Sequence, residues 1–177
     1  MVKFGIISDT HIDKLREKEI ISILKELETI FGDVDRIIHA GDIGSKRILR
    51  TLQTIAPVTF VLGENDIEFD SEAFLTIATQ EFSKKIGVIH KLPEDLKVFC
   101  EKNKLIDGIL IFGHTHKPLI KGTEYNVLLL NPGSPTMPEA PKQIKGFEKP
   151  IARPSVMKLS IEKGIVTTYI INLKYEL

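Results

Sequence analysis

The chain has 177 residues, 42% of them hydrophobic and 27% charged, which excludes global disorder and fits an ordinary soluble globular protein. That length suits one domain over 1–177, able to bury a sizeable core without staples. Lys+Arg and Asp+Glu both count 24, so the balance does not favour a nucleic-acid partner held by phosphate neutralisation.

The one cysteine, Cys100, has no partner for an internal disulfide. It fits a reducing compartment and reads as a small buried hydrophobe. The opening residues lack the apolar stretch and cleavage site of a secretory leader. No apolar run approaches the ~20 residues that span a bilayer. A cytoplasmic protein with no membrane partner is expected.

The front half alternates strand and helix. Residues 2–8 read as a short buried strand, β-branched and nearly uncharged. Between Asp13 and Phe31, the spacing of Ile20, Leu24, Leu27 and Phe31, with Ile23 and Ile30 beside them, predicts an amphipathic helix. Gly32 follows as its C-terminal cap. Arg36–His39 is the second strand, and Ser45 caps a helix carrying Ile48, Leu49, Leu52 and Ile55. Residues 58–62 form the third strand. This order implies right-handed crossovers and a largely parallel first sheet.

The back half reads differently. A strand is expected at 84–90 and a helix from about Pro93 to Asn103. Further strands are expected at 108–112, 118–121, 126–130, 155–161 and 165–173. The last two join through Glu162-Lys163-Gly164 as a hairpin. The expectation is an α/β protein with a mixed sheet, or two sheets packed face to face, and helices outside. Six of the nine prolines fall between Pro132 and Pro154, which forbids a regular helix or central strand there. That stretch is either a disordered surface loop or a loop bordering a site or a subunit contact.

All five histidines, His11, His39, His90, His114 and His116, sit at or just after strand ends. In an α/β sheet this is the edge where ligands bind. Asp9-Thr10-His11 follows the first strand, Gly41-Asp42 the second and Gly63-Glu64-Asn65-Asp66 the third. His90 ends another strand, and Gly113-His114-Thr115-His116 follows the next. Each cluster alone also reads as an ordinary turn, and a lone histidine there is more often a structural hydrogen-bonder. Together they offer carboxylates and imidazoles without a thiolate, a set suited to Mn, Fe, Co, Ni or Zn. Six or seven such ligands exceed the three or four of a one-metal site. Two ions ~3.5–4 Å apart fit instead, with a bridging carboxylate for which Asp42 is the candidate.

The order Asp-x-His, Gly-Asp, a Gly-Asn-x-Asp-like turn, His, Gly-His-x-His resembles the calcineurin-like metallophosphoesterase superfamily. Gly113-His114-Thr115-His116-Lys117-Pro118, with Asn131-Pro132-Gly133-Ser134, resembles its small prokaryotic phosphodiesterase branch. The resemblance implies a sandwich of two mixed sheets flanked by helices. It implies two divalent ions, with manganese the first choice. Asp9, His11 and His116 would hold one ion, His90, His114 and a residue of the third motif the other, and Asp42 would bridge. A hydroxide bridging both ions would attack the phosphorus of a small phosphodiester. Asp42, Glu64, Asn65 and His90 are the catalytic positions so implied, and His39 is a buried structural histidine.

Three features depart from the family pattern. Glu64 stands where the family has asparagine, so either Glu64 or a shifted Asn65 supplies the third-motif ligand. A glutamate takes one unit of positive charge from the site, weakening phosphate attraction and raising the pKa of the attacking water. His90-Lys91-Leu92 replaces the frequent His-Gly-His. Asn65 also stands where some members carry a histidine general acid, so good leaving groups should react best. The runner-up reading is a weakly active or inactive scaffold binding a protein partner, as in the superfamily's retromer subunit. A homodimer is the base-rate expectation for assembly.

Overall fold

A computed structural model describes residues 1–12 and 15–174. The elements are β1 (Val2–Ile7), α1 (Glu17–Phe31), β2 (Arg36–His39), α2 (Lys46–Ile55), β3 (Val58–Phe60), β4 (Phe74–Thr79) and β5 (Phe82–Ile89), then α3 (Leu96–Lys102). They continue as β6 (Ile109–Ile111), β7 (Leu119–Gly122), β8 (Leu128–Asn131), β9 (Ser155–Glu162) and β10 (Ile165–Asn172). Two five-stranded mixed sheets result, in the orders β10-β9-β1-β2-β3 and β4-β5-β6-β8-β7. β1, β2 and β3 run parallel in the first sheet, as do β5, β6 and β8 in the second.

Strand alternation sends each sheet's side chains to two different layers. Phe4, Ile6, Ile38, Met157, Leu159 and Ile161 of the first sheet meet Ile86, Val88, Ile109, Ile111 and Leu130 of the second, forming the central core. The opposite face of the first sheet, with Ile7, Ile37 and Val156, packs on α1 and α2 through Ile23, Leu27, Phe31, Ile48 and Leu52. The outer face of the second sheet, with Leu110 and Leu129, packs on α3 through Cys100. The layers are therefore helix, sheet, sheet, helix. Gly5 lets α1 come close: a Cβ there would lie 2.6 Å from the Phe31 ring. Cys100 is fully buried, and burial pushes its thiol pKa up. No helix among the described residues is long and apolar enough to cross a membrane.

Most expected elements are present with ends shifted by one to three residues. Asp13, where the first helix was expected to begin, lies outside the described residues; the helix runs from Glu17, where Glu19 accepts from the Arg16 N–H at 2.8 Å. Gly32 ends it at φ −63°, in the right-handed region, so its cap does not use the left-handed turn that a glycine allows. α3 starts at Leu96 because Asp95 accepts from the Val98 N–H at 3.0 Å. The β9–β10 hairpin turns through Lys163 and Gly164, both at positive φ, as a tight primed turn requires.

One strand was not expected. β4 pairs antiparallel with β5 and forms the edge of the second sheet. Its residues are only half-buried, so its apolar density is low. The partner, β5, begins at Phe82, two residues before the expected start, and Phe82 and Ser83 lie outside the buried part of the strand.

Candidate metal centre

The expected site residues converge where the carboxyl ends of β1, β2, β3, β5 and β6 meet. Five of them adopt left-handed backbone: Asp9, His11, Asp42, His114 and His116, with φ of 53°, 31°, 53°, 66° and 57°. Asp and His tolerate that region better than most side chains, and such strain concentrates at functional sites. Backbone bonds between the loops lock them together. The Asp9 N–H donates to Gly41 O at 3.0 Å, and the Thr10 N–H to Asp42 O at 2.9 Å.

Among the described residues, two triads have ligand atoms within 4.8 Å of one another: Asp9, His11 and His116, and Asp9, Asp42 and His90. Asp9, fully buried, belongs to both. Asp42 Oδ2 lies 3.5 Å from His11 Nε2 and 3.6 Å from His90 Nε2, so it sits between the two imidazoles. His116 Nε2 lies 3.4 Å from Asp9 Oδ1 while its Nδ1 donates to Met137 O at 2.8 Å. The bond with Asp9, then the neighbouring charges and Met137, lift the His116 pKa above its ordinary value against the effect of burial.

His90 is the most telling residue. Its Nδ1 lies 2.8 Å from Ala40 O, and a carbonyl can only accept, so Nδ1 carries the hydrogen. In the neutral ring Nε2 is then a lone pair. It is buried without a hydrogen-bond partner and faces Asp42 Oδ2 at 3.6 Å and Asp9 Oδ1 at 4.0 Å. A bound cation, or a proton on Nε2, would relieve the repulsion among these three atoms.

The third motif divides its residues. The Asn65 backbone N–H donates to Asp42 Oδ1 at 3.0 Å, and its side-chain amide to Oδ2 at 2.7 Å. Burial pushes the Asp42 carboxyl up, but these two bonds, with His90 and His11 beside it, outweigh that and hold its pKa below the ordinary value. Glu64 instead sits at the rim, with Oε2 3.5 Å from His114 Nδ1. His114 and Glu64 fall outside both triads. Asp66 does structural work: it accepts from the Ile43 N–H at 2.8 Å and the Gly63 N–H at 2.8 Å, tying the second loop to the third.

The motif glycines are there for closeness. A Cβ on Gly113 would lie 2.8 Å from Asp9 Oδ2 and 2.9 Å from Ala40 O; one on Gly63 would run into the Asp42 carboxylate. The backbone N–H of His114 can therefore reach Asp9, donating to both its oxygens at 3.1 and 3.0 Å.

Sequence reasoning missed the brace beneath these residues. Ser134 Oγ donates to Asp9 O at 2.7 Å, Thr136 Oγ1 donates to Thr10 O at 2.8 Å, and Asn131 Nδ2 donates to Gly113 O at 2.9 Å. The proline-rich stretch thus borders the site, as one of its two readings expects. Residues 132–136 are buried against the site, whereas 142–149 are exposed. The available signal was the cluster of small hydroxyl residues between the prolines. His39 is fully buried and no member of either triad; its Nε2 lies 3.1 Å from Thr10 Oγ1.

Fold and site together define a layered α/β sandwich carrying a candidate metal centre of carboxylates and imidazoles. Residues 2–147 match the calcineurin-like phosphoesterase superfamily domain. Over 168 residues the chain is 36% identical to a probable metallophosphoesterase of Methanocaldococcus jannaschii, covering 89% of this chain and 75% of that one. Its fold is similar to that of Vps29 from Entamoeba histolytica, solved with zinc (TM-score 0.69, 24% identity, 97% of this chain and 99% of that one). It is also similar to YfcE, a phosphoesterase from E. coli (TM-score 0.64, 18% identity, 90% and 88%). The chain belongs to the calcineurin-like phosphoesterase superfamily.

Proposed function

We propose that this protein is a divalent-metal-dependent phosphodiesterase acting on a small phosphodiester. The observation that carries the reading is the buried Nε2 of His90, facing two carboxylates without a hydrogen-bond partner among the described residues. The donor set fits: oxygen and imidazole nitrogen without sulfur suit manganese, nickel, iron, cobalt or zinc. In this reading Asp9, His11 and His116 hold one ion, His90 and His114 with Glu64 hold a second, and Asp42 lies between. Two such ions, when bound, supply an acidified water as nucleophile and neutralise charge on the phosphate oxygens.

The chain's own residues then have distinct tasks. Ala40 O fixes the His90 tautomer so that Nε2 is the free donor atom. Met137 O does the same for His116 through Nδ1. Asn65 orients the Asp42 carboxylate through two hydrogen bonds and keeps it ionised. Asn65 cannot deliver a proton as an acid, so the leaving alkoxide must be stable by itself.

The test is hydrolysis of a bis-aryl phosphodiester by chelator-stripped protein with manganese or nickel added back, beside Asp42→Ala and His114→Ala. Metal-dependent turnover lost in both variants is expected. Absence of turnover with metal demonstrably bound would refute the reading.

Glu64 favours a second reading. A carboxylate in place of the family's asparagine, on a fold shared with Vps29, is compatible with a scaffold that binds a protein partner. Turnover in the same assay separates the two.

A further inference from the structure

Two of the departures from the family pattern meet in space. Lys91 Nζ lies 3.1 Å from Glu64 Oε1, and the other carboxylate oxygen, Oε2, lies 3.5 Å from His114 Nδ1. Glu64 follows β3 in one sheet and Lys91 follows β5 in the other. Both side chains are more than half exposed, at 57% and 59%, and an exposed ion pair adds little to the stability of a fold. Its consequence lies in the charge of the site. A glutamate with a lysine carries the same net charge as the asparagine and glycine of the family pattern at these two positions.

We propose that Lys91 is a positioning residue that offsets the charge of Glu64 and keeps the site attractive to a phosphate anion. The proposal rests on the metal-centre reading above. Lys91 engages one carboxylate oxygen and leaves the other turned to His114, so it orients Glu64 as well as balancing it. Without Lys91 the Glu64 carboxylate would repel the substrate phosphate from the rim.

The experiment titrates metal-loaded protein with inorganic phosphate by calorimetry, after measuring the metal content of every variant. Lys91→Ala should weaken phosphate about fivefold, the effect of one unit charge a few ångströms away in water. Glu64→Asn should tighten it by a similar factor. The double variant should return to about the wild-type affinity, and Lys91→Arg should retain it. A merely structural lysine would not give this pattern of opposite signs and restoration. Unchanged affinity in Lys91→Ala, or a double variant as weak as Lys91→Ala, overturns the proposal. If phosphodiester turnover persists in wild type while that pattern is missing, Lys91 alone is refuted. A wild-type protein that retains no metal overturns both this proposal and the metal-dependent function.

Discussion

Replacing His39 with glutamine should flatten the protein's stability between pH 6.5 and 4. His39 ends β2 at 0% exposure, and burial lowers its pKa from 6.5 to about 4, against the pull of Asp66 and Asp9. The hydrogen bonds explain why the ring resists a proton. Thr10 Oγ1 donates its one hydrogen to Ile43 O at 2.6 Å, so His39 Nε2 must donate to Thr10 Oγ1. That leaves Nδ1 as a buried lone pair without a partner, and protonating it would bury a charged N–H with no acceptor. Below pH 6.5 the unfolded chain takes up a proton that the folded chain refuses until about pH 4. The stabilising contribution is therefore complete above the unfolded value and is lost as pH falls through the window. The slope is about 1.4 kcal/mol per pH unit, or about 3 kcal/mol across the interval. Glutamine retains an amide N–H for Thr10 and does not titrate. Urea unfolding of chelator-treated wild type and His39→Gln, at several pH values across the window, isolates the term because every other group is common to both. The wild-type curve should fall more steeply with acid; parallel curves would refute the reasoning.

Gly113→Ala places a methyl 2.8 Å from the Asp9 carboxylate and from Ser8 Cβ; it should cost about 1–3 kcal/mol in urea unfolding and weaken manganese binding more than about tenfold by calorimetry. Unchanged affinity would show that Asp9 does not need its present position. Ser134→Ala deletes the buried donor to Asp9 O and the acceptor of the Met137 N–H. A loss of about 1–3 kcal/mol is expected, with metal affinity falling about 10–100-fold, and a stability loss with no change in affinity would confine Ser134 to the fold. Glu64→Asn should hydrolyse a phosphodiester faster than wild type in steady-state assays, since it removes an anion from the rim; an equal or slower variant counts against that account. With no acid available at Asn65, kcat/KM for an aryl phosphodiester should far exceed that for an alkyl one, and comparable values would point to an unrecognised proton donor.

The parts of the fold visible in the sequence are those whose side chains are sorted by one dominant environment. β1, β2 and α1 read clearly because Phe4 and Ile6, Ile37 and Ile38, and Ile23 and Leu27 are wholly buried at strand or helix spacing. β4 did not, because an edge strand with half-buried residues carries a weak period-two signal. The site residues read for a different reason. Asp9, Asp42, His90, His114 and His116 lie within a few residues of strand ends, so the strand pattern itself points to the sheet edge where they gather. What the pattern could not supply is contact between loops distant in the chain. Ser134 reaches Asp9 across 125 positions, and nothing local marks its hydroxyl as a brace rather than a turn former. The Glu64–Lys91 pair shows the same limit more sharply. Each residue is visible as a departure from the family pattern, and each alone reads as a loss: one anion too many, one glycine too few. Only the packing of β3's sheet against β5's sheet puts their charges 3.1 Å apart and turns two apparent defects into one neutral rim.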